Sequence, residues 1–186
     1  MASANIWIAL FRAINVGGNN MLPMKTLPAL FDKCGCADAK TYIQSGNVVF
    51  RSTVGSASTL SARIGKAVEA AHGFNPPIML LTLQELKRAV AANPFTKQAN
   101  ENPKSVHLFF LAAAAPKADL QKLTEAAANG EEFALKGKVF YLHAPAGVGP
   151  SKLATKVERA LGVGATARNW RTCLTLIELG AELKGS

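Results

Sequence analysis

An internal repeat constrains the fold of this chain more than any other feature of its sequence. The segment GNVVF at residues 46–50 matches the segment GKVFY at residues 137–141, and each belongs to a hairpin pattern of two β-rich runs around a turn. The apolar stripe of the next helix also recurs. Its members are Leu60, Ile64, Ala67 and Val68 in the first copy, and Leu153, Val157, Ala160 and Leu161 in the second. Two hairpins and two helices in the same order predict a tandem duplication.

Each copy shows the same order of elements. The predicted elements of the first copy are a strand at 6–11, a helix ending near Cys34, a hairpin at 41–50, a helix at 60–71 and a strand at 77–82. Those of the second are a strand at 106–111, a helix opening at Pro116, a hairpin at 133–141, a helix at 153–161 and a strand at 164–168. This order predicts an α+β protein of two ferredoxin-like βαββαβ units with antiparallel sheets, plus a C-terminal helix at 170–183.

Composition and turn residues suggest where the copies are divided. The Asn- and Pro-rich segment 93–104 shows no apolar periodicity and is the best candidate for a linker. We therefore expect a first unit at 1–92, which includes a short connecting helix, and a second unit at 105–186. With 186 residues and 49% hydrophobic content, the chain has enough apolar material for two small cores.

Positive charge favours an anionic partner. The 21 Lys and Arg residues exceed the 12 Asp and Glu residues, giving a net charge of +9 and a pI near 9.7. An excess of this size is typical of proteins that bind nucleic acid, nucleotides or phosphorylated metabolites. A surface charge that serves only solubility is equally compatible, because no run of five like charges occurs.

Cysteine usage and hydropathy predict the compartment. The three cysteines are an odd number, and the spacing of Cys34 and Cys36 fits neither a redox nor a zinc motif. We read Cys34 as the last core position of a helix. No signal peptide and no apolar stretch of membrane-spanning length is visible, so we expect a soluble, cytoplasmic protein without a membrane partner. The oligomeric state stays open.

Four polar clusters at the ends of predicted elements are candidate ligand-binding sites. They are the opening loop with Arg12, Asn15, Asn19 and Asn20, the hairpin tip with Gln44, Ser45 and Asn47, the Gly-rich loop before Ser151 and Lys152, and the segment with Arg168, Asn169 and Arg171. A helix N-terminus with Ser and Lys suits phosphate, and arginine binds phosphate bidentately. The alternative is that the Asn and Ser side chains cap helices and stabilise turns.

No catalytic constellation is visible. The three histidines, His72, His107 and His143, lack the spacing of a metal site, and no nucleophile elbow or Cys-His signature occurs. The aromatic motif of RNA-binding ferredoxin-like sheets is also missing. We therefore predict no catalytic residue, no metal and no cofactor.

The chain resembles a known bacterial family, domain of unknown function 1697. The segments that carry the resemblance are RAINVGGNN at 12–20 with Pro23 and Met24, YIQSGNVVF at 42–50, GVGPSKL at 147–153 and TARNWRT at 166–172. The resemblance implies a cytoplasmic α+β protein with a ferredoxin-like duplication, and it implies no activity, cofactor or catalytic residue. Ala13 stands where the family usually has Gly, and Pro150 stands where a basic residue is common.

The leading hypothesis is non-catalytic binding of an anionic ligand, either nucleic acid or a nucleotide. Arginine and lysine of the four clusters would contact phosphates, while asparagine and glutamine would orient the ligand. An enzyme acting on a phosphorylated small molecule and a protein-protein interaction module are the alternatives.

Overall fold

In the computed structural model, residues 4–15 and 17–185 are described, and the chain divides into two units. The first unit comprises Met1–Lys87 with Thr175–Ser186, and the second comprises Arg88–Leu174. The division falls within two helices, one directly after the last strand of each unit.

The elements follow the order that the repeat predicts. In the first copy they are β1 (Asn5–Phe11), a 3₁₀ turn (Met24–Thr26), α1 (Leu27–Lys33), β2 (Ala37–Tyr42), β3 (Asn47–Ser52), α2 (Ala57–His72), β4 (Ile78–Thr82) and α3 (Leu83–Ala91). The second copy follows α4 (Thr96–Glu101) and contains β5 (Val106–Leu111), α5 (Leu120–Ala126), β6 (Glu132–Lys136), β7 (Val139–His143), α6 (Lys152–Leu161), β8 (Ala165–Asn169) and α7 (Trp170–Gly185).

Each unit contains one four-stranded sheet. The strand orders are β2-β3-β1-β4 and β6-β7-β5-β8, and every neighbouring pair is antiparallel. The two orders are the same when strands are numbered within each copy. The predicted α+β duplication with antiparallel sheets and a C-terminal helix is therefore confirmed.

The structural repeat is offset by one residue from the sequence match of the two hairpins. Phe11 N donates to Gly46 O at 2.8 Å, and Leu111 N donates to Lys138 O at 2.9 Å, so Gly46 corresponds to Lys138. The match of GNVVF with GKVFY, which paired two glycines, was wrong in register. The reason is that β2 and β3 join through a four-residue turn, whereas β6 and β7 join through a two-residue turn. A shift of one residue places every side chain on the other face.

Strand pairing fixes which positions correspond. In each unit the last residue of the edge strand that precedes a helix pairs with the central strand: Thr82 pairs with Trp7, and Asn169 pairs with His107. The corresponding positions that matter below are Trp7 and His107, Phe50 and Leu142, Arg51 and His143, Thr82 and Asn169, and Lys87 and Leu174.

The core of the first unit lies between its sheet and helices α1 and α2. Alternate residues of β1, including Trp7 and Phe11, belong to this core with Phe50 of β3. Phe31 of α1 lies edge-on to Phe50 with ring centroids 5.0 Å apart. The intervening side chain of Ile8 is also fully buried, so both faces of β1 are apolar.

The core of the second unit lies between its sheet and helices α5 and α6. Phe140 of β7 lies edge-on to Phe109 at 5.7 Å and is stacked with Phe133 at 5.4 Å. Leu123 of α5 and Val157 of α6 complete this cluster and are fully buried. The aromatic side chains thus come from the sheet here, whereas one comes from a helix in the first unit.

Helix ends follow capping chemistry, with two differences from the sequence-based expectation. Ser56 and Ser151 accept backbone N–H groups at the starts of α2 and α6. The helix expected to open at Pro116 begins instead at Leu120, because the Asp119 side chain caps it by accepting from Lys122 N. Helix α4 lies inside segment 93–104, for which the sequence suggested a linker.

Candidate functional site

The opening loop and the first hairpin turn meet at Asn15. Its Oδ1 accepts from Leu22 N at 2.8 Å, and its Nδ2 donates to Leu22 O at 3.0 Å and to Gln44 O at 2.9 Å. Two of the four predicted clusters therefore form one surface of the first unit. We name it the loop surface, and its members are Arg12, Asn15, Asn19, Asn20, Gln44, Ser45 and Asn47.

Left-handed backbone angles shape the opening loop. Ala13, Asn15 and Asn20 have φ values of 54°, 55° and 49°. Asn20 Nδ2 donates to Ala13 O at 3.0 Å, and Asn15 N donates to Asn20 O at 3.2 Å. Asparagine tolerates these angles better than alanine does, so Ala13 is strained where the family pattern usually has glycine.

Hydrogen bonds within the first hairpin turn stabilise it. Asn47 is fully buried, and its Nδ2 donates to Tyr42 O and to Ser45 Oγ, both at 3.0 Å. A Cβ atom at Gly46 would lie 2.5 Å from Ile14 Cδ1, so the loop closes tightly over this glycine. Asn15 and Asn47 thus shape the loop surface, while the side chains of Asn19 and Gln44 are exposed and Arg12 is half-buried.

The third predicted cluster lies at the start of α6 in the second unit. Ser151 is buried, and its Oγ accepts from Ala154 N at 2.9 Å, which makes it the helix cap. A recess of about 180 Å³ beside it is lined by exposed Lys152 and also by Glu131. The recess therefore carries charges of both signs.

The fourth predicted cluster spans the junction of β8 and α7, also in the second unit. Asn169 Oδ1 accepts from Thr172 N at 2.8 Å and caps α7. Burial lowers the pKa of the Arg168 guanidinium to about 10, so it stays charged at neutral pH, and its Nη1 donates to Ala167 O at 2.7 Å. Arg171 is exposed, and Trp170 is buried as expected of a core anchor.

A cavity of about 480 Å³ in the first unit was not predicted. The described residues that line it are Ala4, Asn5, Ile6, Arg51, Thr82, Leu83, Gln84, Lys87, Leu183 and Lys184. Its three cations come from β3, α3 and α7, so no local motif joins them in the sequence. Only the packing of distant elements brings them to one cavity.

The sequence also did not predict that several titratable groups are buried. Burial lowers the pKa of His107 to about 4, so the ring is neutral at pH 7, and its Nδ1 has no hydrogen-bond partner in the described part of the chain. Burial raises the pKa of Cys173 to about 12 and that of Cys36 to about 11. These thiols are therefore protonated and weakly nucleophilic at neutral pH.

The described residues offer neither a metal site nor a membrane-spanning helix. Within residues 4–15 and 17–185, no three His, Cys, Asp or Glu side chains come together as a metal site would require. Over the same residues, no helix combines the length and hydropathy needed to cross a lipid bilayer.

Comparison with known proteins identifies a family. The family model described as "Protein of unknown function (DUF1697)" matches residues 5–141. A search of curated proteins found no significant match. The chain is similar in structure to the conserved bacterial protein SP0830 from Streptococcus pneumoniae, with a TM-score of 0.65 and 19% identity over 96% of this chain and 99% of that one. This likeness supports the fold, and the match over most of the sequence shows that the chain belongs to the DUF1697 family of unknown function.

Proposed function

We propose that the protein binds an anionic ligand, nucleic acid or a nucleotide, without catalysing a reaction, and does so in the bacterial cytoplasm. The observation that carries the proposal is the Asn15 side chain, which joins two polar loops into one surface beside Arg12. The amides of Asn15, Asn20 and Asn47 hold these loops in place at the end of the sheet, and the exposed side chains of Asn19 and Gln44 suit phosphate and base edges. The three buried, free thiols fit a reducing compartment.

The two chain segments that contain the loop surface have cationic side chains and no acidic ones. Residues 4–31 and 39–68 contain no Asp or Glu, whereas Arg12, Lys25 and Lys40 lie within these segments. Of these cations, Lys40 is paired with Glu182 of α7, which leaves Arg12 and Lys25 as the candidates for contacting a polyanion at this end of the unit. Such a field raises the association rate and the affinity for nucleic acid at low salt.

Two cations of the second unit, considered by itself, are separate candidates for contacting phosphate. Lys152 and Arg171 are both exposed there. Ser151 and Asn169 cap helices, and half-buried Arg168 donates from Nη1 to Ala167 O, so we assign these three residues to supporting the local structure of the second unit rather than to contacting phosphate. The proposal thus divides the predicted residues into contacting and supporting groups.

Fluorescence anisotropy with short, labelled single-stranded RNA and DNA at increasing salt tests the proposal. The logarithm of the binding constant should fall linearly with the logarithm of the salt concentration, with a slope of about −0.7 per phosphate contacted. Arg12→Gln should remove about one contact from this slope. Arg12→Lys should retain it, and so should Arg159→Gln, which removes the same charge from an exposed position on α6.

Equal slopes for Arg12→Gln and Arg159→Gln would exclude the loop surface as the binding site. Absence of binding by the unmodified protein would favour an interaction module instead. Two exposed apolar side chains support that second candidate, because Met21 is 61% exposed and Ile43 is 50% exposed, and each adjoins a residue that Asn15 holds. Ile43 also has a φ of 48°, which is costly for a β-branched residue.

A further inference from the structure

The cavity between the start of β1, Arg51 and the facing ends of α3 and α7 has the features of a ligand site. Arg51, Lys87 and Lys184 line it, and none of its described lining residues is acidic. Its volume of about 480 Å³ falls within the range of small-molecule sites. We propose that this cavity binds a nucleotide-sized, phosphate-bearing small molecule. The inference shares the ligand class of the proposed function but does not depend on the loop surface.

The carboxylates of the neighbouring segments are already engaged. Arg51 Nε donates to Asp38 Oδ2 at 2.6 Å. Glu182 lies 3.0 Å from Lys40 Nζ. Because a guanidinium has more N–H groups than one carboxylate occupies, Arg51 retains donors for a second anion while Asp38 fixes its position.

The start of α3 forms one side of the cavity. Thr82 caps this helix, because its Oγ1 accepts from Glu85 N at 3.2 Å, while Thr82 N donates to Glu85 Oε2 at 2.8 Å. Thr82, Leu83 and Gln84 line the cavity, so it opens onto the first turn of the helix. The Glu85 carboxylate at this cap offsets the helix dipole, so Lys87 supplies the positive charge on this side of the cavity.

The rest of the lining suits the body of a nucleotide. Ile6, Leu83 and Leu183 offer apolar side chains, and the last two are buried. Asn5 and Gln84 offer amide donors and acceptors. A ligand with a phosphate group, an apolar ring and a hydrogen-bonding edge would satisfy all three kinds of lining.

The second unit lacks this set of charges at corresponding positions. His143 corresponds to Arg51, and Leu174 corresponds to Lys87. The ring of Phe95 lies 6.0 Å from that of His143. Cations at these positions are therefore specific to the first unit and are not a requirement of the repeated fold.

Isothermal titration calorimetry with ADP, inorganic pyrophosphate and adenosine tests the inference. ADP should bind most tightly, because only ADP has both the phosphates and the ring. Lys87→Gln and Lys184→Gln should each raise the dissociation constant for ADP by about tenfold. Lys156→Gln removes the same charge from an exposed position on α6 and should change it less than twofold.

Three results would overturn the inference: no heat of binding with ADP or pyrophosphate, equal affinities of the two cavity variants and Lys156→Gln, or adenosine binding as tightly as ADP. Failure here is distinguishable from failure of the proposed function. Oligonucleotide binding without ADP binding would support the loop surface as a binding site and exclude the cavity. ADP binding without oligonucleotide binding would support the cavity and exclude the loop surface.

Discussion

The two units share strand order and core pattern but differ at corresponding polar positions. Where the first unit places Arg51 against Asp38, the second places His143 with Nδ1 3.4 Å from Glu132 Oε1. Where the first buries Trp7, the second has the partly buried His107, and both have a buried ring nitrogen without a hydrogen-bond partner among the described residues. The duplicated scaffold therefore tolerates exchange of polar groups while it conserves the face that each side chain occupies.

Substitution of the turn glycines should give the largest difference in stability between the two units. Gly46 has a φ of 77°, and an added Cβ would approach Ile14 and Phe11, whereas Gly137 has a φ of 59° and open space around it. We expect Gly46→Ala to lower the free energy of unfolding by about 3 kcal/mol, from backbone strain plus overpacking. Gly137→Ala should cost about 1 kcal/mol, from the positive φ alone. Urea denaturation of both variants measures the difference, and equal losses would show that the first turn relaxes around the new methyl group.

Trp7 and His107 predict a pH dependence confined to the second unit. Burial lowers the pKa of His107 from 6.5 to about 4, so between these values the unfolded chain binds a proton that the folded chain does not. Stability is fully present above pH 6.5 and should decrease by up to about 3 kcal/mol as the pH falls to 4.

The variant His107→Phe should abolish this component of the pH dependence, whereas His72→Gln, at the end of α2, should retain it. Denaturant unfolding at a series of pH values between 7 and 4 measures the slope. An unchanged slope in His107→Phe would assign the acid sensitivity to other groups.

The smallest expected effect concerns the residues that follow the first strand of each unit. Ala13 has a φ of 54°, whereas Ala113 at the corresponding position does not have a positive φ. Ala13→Gly should raise the free energy of unfolding by up to about 1 kcal/mol, because glycine adopts this angle without strain. Ala113→Gly should lower it by about 0.5 kcal/mol, since it only adds freedom to the unfolded chain. Calorimetric melting temperatures should shift in opposite directions, and shifts of the same sign would contradict the assigned backbone angles.

Much of the fold was predictable because local patterns and global structure agree. The continuous apolar run of β1, the apolar stripe with Leu60 and Ile64, and the glycine that ends α2 each indicate an element by themselves. The sequence also predicted that Asn15 and Asn47 could serve their own turns. It failed at the start of α5, where the cap at Asp119 outweighs the helix-opening preference of Pro116.

Sequence by itself determined the repeat, the class of each element, the positive charge and the family. Tertiary structure alone decided the register of the hairpins, because that depends on turn length and on which face is buried. It also decided that Asn15 joins two loops and that Arg51, Lys87 and Lys184 line one cavity. These contacts join residues that are distant in the chain and do not recur at a regular spacing. No local sequence pattern therefore predicts them.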